Sequence, residues 1–188
     1  MRLYYDLASP YAYLAVARAA DVLGEVPQLQ PVLVGAIFGW RGRGSWALTD
    51  ARYEGEAEVE RRAAAYGLPP LRWPADWPPN TLAAMRAAVW AEREGRGAPF
   101  ARAAFRRAFA EGADLADVGI LAEIAGAVGL DGAALAGAIA SRAVKDDLRD
   151  RTASALDLGV RGVPTLATGG RLLYGDDRLD EAPGLRRP

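Results

Sequence analysis

The chain has 188 residues, and neither cysteine nor histidine is among them. Without cysteine there is no disulfide chemistry, no thiol nucleophile and no thiolate metal ligand. Without histidine there is no imidazole ligand and no Ser-His-Asp triad. Neither sign of charge is in excess: 23 basic residues stand against 24 acidic ones, a net charge of −1. A nucleic-acid partner would need a basic surplus, so none is expected. Lysine is almost missing too; Lys145 is the single one, and arginine carries the rest of the positive charge. No apolar run is long enough to span a bilayer and no leader precedes the first predicted strand, so a cytoplasmic chain with no membrane partner is expected.

What is present concentrates at the two ends. Residues 3–7 carry aromatic β-formers and predict a short strand. Ser9-Pro10 then reads as a helix start, with serine as N-cap and proline at the first helical position, where its missing N–H has no partner to lose. Ser9 thus sits where a strand ends and a helix dipole begins, a natural place to hold an anion. Taken alone, such a serine is more often only a cap. A second stretch, Gly162-Val163-Pro164-Thr165-Leu166, has the form of the proline loop that faces the strand-to-helix turn in thioredoxin folds, and it predicts a cis bond before Pro164.

Between the ends the pattern is helical. A helix is predicted over 10–23, closed by Gly24, and a strand over 28–34, parallel to the first. Residues 35–50 interleave glycines with Phe38, Trp40, Trp46, Arg41 and Arg43 and read as a loop, one that can line a ligand mouth but that, taken alone, is more often a mobile surface loop. A charged helix follows over 53–66. Five prolines forbid regular structure over 68–79, and Asn80-Thr81 caps a helix over 82–94. Phe100, Phe105 and Phe109 mark a further helix ending near Gly112, and others cover 117–128, 131–140 and 145–158. Aromatic stripes at this spacing read as core. Strands over 165–168 and 171–174 flank a Gly169-Gly170 hairpin turn. A short helix opens at Asp176-Asp177, where capping is the simplest role for both carboxylates. The layout is βαβ, a helical stretch, then ββα, whose two ends must share one sheet because neither could stand alone.

Five stretches in this order carry a resemblance: Asp6-Leu7-Ala8-Ser9-Pro10-Tyr11-Ala12-Tyr13-Leu14, Pro79-Asn80-Thr81-Leu82-Ala83-Ala84-Met85-Arg86-Ala87, Ala143-Val144-Lys145, Gly159-Val160-Arg161-Gly162-Val163-Pro164-Thr165 and Gly175-Asp176-Asp177-Arg178-Leu179. Over nearly its whole length the chain resembles the 2-hydroxychromene-2-carboxylate isomerases and kappa-class glutathione transferases, relatives of the DsbA oxidoreductases. The resemblance implies an α/β fold, with a discontinuous thioredoxin-like domain (1–35 and 145–188) and an all-helical insertion (36–144). It also implies a homodimer and a bound glutathione or another low-molecular-weight thiol. Ser9 then meets the thiol sulfur. The backbone of Val163, set by Pro164, pairs with the cysteinyl part, and Asp177, beside Asp176, takes the γ-glutamyl amine. Asn80 falls near the substrate side, with Tyr11. The family's loop asparagine and lysine are missing; Arg43 stands in the asparagine's place and is assigned to a carboxylate of the thiol, with Arg41 or Arg52 as alternatives. Arg41 or Arg43 is the candidate for the substrate carboxylate, against the plainer role of a solvated loop arginine. The activity implied is isomerisation of a conjugated 2-oxo acid through transient thiol addition. The alternatives are a transferase conjugating electrophiles and a non-catalytic thioredoxin-like binding module.

Overall fold

In the computed structural model, which describes residues 1–185, the chain's two ends meet in one four-stranded sheet of order β2-β1-β3-β4. The strands are β1 (Arg2–Tyr5), β2 (Gln28–Pro31), β3 (Thr165–Thr168) and β4 (Arg171–Tyr174). β1 runs parallel to β2, with Leu3 opposite Leu29, and antiparallel to β3, with Leu3 opposite Leu166. β3 and β4 form the expected hairpin, and Gly169 and Gly170 adopt φ of +54° and +74°, the left-handed pair that a two-residue hairpin turn requires. β1 stops two residues before the predicted end because Asp6 turns the chain: its carbonyl accepts from Ser9 N at 3.0 Å.

Helix α1 (Pro10–Leu23) begins and ends where expected. Ser9 Oγ accepts from Ala12 N at 3.2 Å, and Gly24 closes the helix at φ +67°. The region after β2 departs from the predicted loop. Residues Val34–Trp40 form helix α2, and Trp46–Leu48 a single 3-10 turn. Gly35 and Gly39 lower the helical propensity of this segment. What overrides it is Ile37, fully buried in a small cluster with Tyr4, Val32, Val160 and Val163.

Helices α3 (Arg52–Ala65), α4 (Leu82–Arg93), α5 (Gly97–Phe109), α6 (Val118–Ala127), α7 (Leu135–Ala140) and α8 (Arg142–Asp157) follow. α8 starts three residues before the predicted position because Ser141 caps it, accepting from Val144 N at 3.3 Å. The proline-rich segment between α3 and α4 lacks regular structure and is pinned by Arg72 N donating to Phe109 O at 2.8 Å. Phe105 and Phe109 lie against the sheet and α1: Tyr5–Phe105 centroids are 5.7 Å apart and Tyr13–Phe109 5.6 Å. The aromatic stripe of α5 is therefore core, and truncating any one of these rings would cost about 3–5 kcal/mol. No described helix is long and apolar enough to cross a membrane.

Candidate functional site

The site grows from the turn between β1 and α1. Asp6 is buried, and its two carboxylate oxygens gather three elements. Oδ1 accepts from Ala8 N and from the Thr81 hydroxyl, each at 2.9 Å, and Oδ2 accepts from Val34 N at 2.9 Å. The Ser9 turn, the start of α2 and the start of α4 are thereby tied to one carboxylate. Burial pushes the Asp6 pKa up, and the three donors pull it partly back.

Ser9 stands at the N-terminus of α1 and faces the proline loop from the far end of the chain. Its hydroxyl donates to Val163 O at 3.5 Å, the outer limit of a hydrogen bond, so its hydrogen is only loosely held. The Val163–Pro164 bond is cis, as predicted; so is Trp77–Pro78, which nothing in the sequence singled out. Trp77 is buried, donates from Nε1 to Ala8 O at 3.2 Å and packs on Trp46, with centroids 5.3 Å apart. Trp46 in turn meets Tyr11 edge-on at 6.0 Å.

These groups enclose a cavity of about 720 Å³, within the range of small-molecule sites. Of the residues singled out from the sequence, Ser9, Tyr11, Arg43, Asn80 and Val163 line it. Arg43 is exposed, its guanidinium 5.9 Å from the Phe38 ring. Asn80 Oδ1 accepts from Leu82 N at 3.1 Å, so this side chain shapes the start of α4 as well as the wall.

Arg41, Pro164, Asp176 and Asp177 do not line the cavity. Arg41 is exposed beyond the end of α2. Pro164 is buried behind Val163, and its carbonyl accepts from Gly175 N at 3.0 Å. Asp176 neither caps the last turn with its carboxylate nor offers it to a ligand. Its side chain is 1% exposed, and its oxygens accept from Arg62 Nη1 and the Tyr66 hydroxyl, both at 2.9 Å. Burial, together with that bond to Asp176, pushes Tyr66 up to about 12. Asp177 is the acid with a free face: its side chain is 57% exposed, 3.5 Å from Arg62. Sequence reasoning missed Asp6, Thr81 and Trp77 as wall residues, whereas Trp46 belongs to the segment it offered as a ligand mouth. A local signal existed only for Asp6, whose bond to Ala8 N is an Asx turn two residues on.

A serine hydroxyl at a helix start, opposite a cis-proline loop on a β2-β1-β3-β4 sheet, defines a thioredoxin-type site without its cysteine. The chain belongs to the DSBA-like thioredoxin domain family, whose model matches residues 1–183. It is 30% identical over 183 residues to the 2-hydroxychromene-2-carboxylate isomerase of Sphingobium xenophagum, with 94% of this chain and 92% of that one covered. A solved 2-hydroxychromene-2-carboxylate isomerase superimposes with a TM-score of 0.86 at 22% identity, covering 97% of this chain and 92% of the other. A probable DsbA oxidoreductase from Streptomyces coelicolor gives 0.75 at 23% identity, covering 100% and 91%. These two likenesses are of fold.

Proposed function

We propose that the chain is an isomerase of conjugated, aromatic-derived 2-oxo acids, of the type of its Sphingobium relative, and that it works with glutathione or a related low-molecular-weight thiol. The observation that carries this reading is Ser9: a loosely held hydroxyl at the N-terminus of a 14-residue helix, opening into a cavity of a chain without cysteine. The donor set fits a thiol. A free thiol has a pKa of about 8.5, so most of it is neutral near pH 7. A hydroxyl donor and the positive end of a helix both favour the anion, and each pKa unit gained is about 1.4 kcal/mol.

When bound, the thiol supplies a reversible nucleophile that turns a conjugated double bond of the substrate into a rotatable one and is released at the end. The chain's own groups do the rest. Ser9 Oγ donates to the sulfur. Val163 borders the cavity and its backbone takes the peptide part, Arg43 takes a carboxylate, and the amine end reaches past the cavity wall to the exposed Asp177. Tyr11, Trp46 and Trp77 wall the substrate side with apolar surface and keep water from it.

The test is turnover of 2-hydroxychromene-2-carboxylate by wild type and Ser9→Ala, with and without glutathione. Turnover is expected only with thiol. In Ser9→Ala it falls about ten- to a hundredfold, the value of a hydrogen bond to a charged group. Folding stability falls by only about 1 kcal/mol, the value of a cap. A stable thiol–substrate conjugate as product would favour the transferase alternative, and no thiol binding at all would favour the binding module.

A further inference from the structure

Helix α1 has a second cavity on its other side. Tyr11 and Tyr13 are two positions apart and so project about 200° apart around the helix. Tyr11 lines the first cavity, and Tyr13 lines a groove of about 590 Å³ between α1 and α5, closed at one side by Pro69. No part of the Ser9 site reaches it. Its floor is small and apolar, with Val16, Ala17 and Ala20 on one wall and Ala110 on the other.

Two polar features stand out against that floor. Tyr13 is 6% exposed, with its ring stacked on Phe109, yet its hydroxyl has no hydrogen-bond partner among the described residues. It is not sealed in either, since Arg86 Nε is the one fully buried side-chain polar atom left unpaired among them. The hydroxyl is thus reachable from solvent, on a residue that lines the groove. Arg102, on the opposite wall, forms no salt bridge and no side-chain hydrogen bond among the described residues. One turn further along α5, Arg106 pairs with Glu111 at 3.3 Å, but that guanidinium is 70% exposed, and Glu111 also pairs with Arg107 at 3.1 Å. The three charged walls are two arginines and one glutamate, leaving a net charge of +1.

We propose that this groove binds an amphipathic monocarboxylate: an acid head on an apolar body of medium-chain fatty-acid size. The carboxylate accepts two parallel N–H bonds from Arg102 and the hydroxyl proton of Tyr13. The body lies over Ala17 and Ala20, where the small side chains leave room for it. A single uncommitted guanidinium above an apolar floor suits a monoanion with a hydrocarbon tail, and suits a phosphate or a nucleotide poorly. The proposal is independent of the isomerase reading, because the groove shares no residue with the Ser9 cavity.

The test is titration of the full-length, isotopically labelled protein with octanoate and with its neutral counterpart octanamide, followed by amide NMR. Octanoate is expected to shift the amides of Ala17, Ala20 and Ala110 while leaving the indole signals of Trp46 and Trp77 in place. Octanamide should bind about tenfold more weakly, and Arg102→Gln should weaken octanoate by a similar factor without affecting octanamide. Tyr13→Phe should weaken it a few-fold. Arg102 is exposed, so its variant should keep the wild-type melting temperature, which controls for folding. Shifts confined to the Trp46–Trp77 cavity would overturn the proposal, as would equal binding of acid and amide or an unchanged affinity in Arg102→Gln. Absence of octanoate binding would also overturn it, including the case where sedimentation finds a dimer that occludes the groove.

Discussion

Asp6 is held by three donors and forms no salt bridge among the described residues, so burial and hydrogen bonding act on its carboxylate in opposite directions. Burial wins, and its pKa stands above the ordinary 3.8. The native state therefore holds this proton more tightly than the unfolded chain does. Its contribution to stability is fully present below that ordinary value and is lost as pH rises through the raised one. In Asp6→Asn the titration disappears, and an amide N–H₂ must face either Val34 N–H or the donors at the other oxygen, at a cost of about 1–3 kcal/mol. We expect the stability gap between wild type and Asp6→Asn in urea unfolding to be widest below about pH 4 and to narrow as pH rises above it. A constant gap would mean that Asp6 titrates as in the unfolded chain. The same residue marks the limit of what sequence can convey. Ser9 and Val163 are legible because each stands in a local pattern, a cap before a proline and a proline loop. Two of the bonds to the Asp6 carboxylate come from residues 28 and 75 positions away, and no local pattern encodes them.

Among the elements, α1, α4, α5 and the β3–β4 hairpin follow from caps, apolar spacing and glycine turns. α2 does not, because the burial of one isoleucine outweighs two glycines. α3 is anchored by polar contacts more than by apolar burial; only Val59 and Ala63 are buried along it. Its hold on the sheet end is Arg62 and Tyr66 gripping Asp176. Arg62→Met leaves that carboxylate buried without its cation. Because Arg62 is 29% exposed, the loss should fall below the value for a fully buried pair, at about 2–3 kcal/mol. Adding Asp176→Asn should restore much of it, and chemical unfolding of the double-mutant cycle measures the coupling. The same face of α3, two turns before Arg62, touches the site: a Cβ on Gly55 would run into the Trp46 ring. Gly55→Ala gains about 1 kcal/mol of helix propensity and loses about 1–3 kcal/mol to overpacking. We expect a small net change in stability but a displaced Trp46, read as altered tryptophan emission and a raised KM. Unchanged emission would place the strain elsewhere.

At the scale of the whole molecule, a ligand that binds only the folded chain stabilises it by mass action. A thiol at about a hundred times its Kd adds about 2.7 kcal/mol, or about 5–10 °C in Tm for a chain of this size. Glutathione is expected to produce such a rise in wild type and a smaller one in Ser9→Ala. If glutathione, γ-glutamylcysteine and cysteine all leave Tm unchanged, the thiol reading fails. The sheet order has one more consequence, and it concerns time. Arg2 pairs with Ala167, and Ser9 meets Val163, so the first strand and the last hairpin form one site from opposite ends of the chain. On a ribosome adding about 5–20 residues per second, β1 waits about ten to thirty seconds for its second neighbour. During that interval β2 can already be beside it, but the β3 side of β1, with the backbone groups of Leu3 and Tyr4, is an open strand edge. The pocket is among the last features to exist, and the nascent chain is most exposed to mispairing just where its function will later reside.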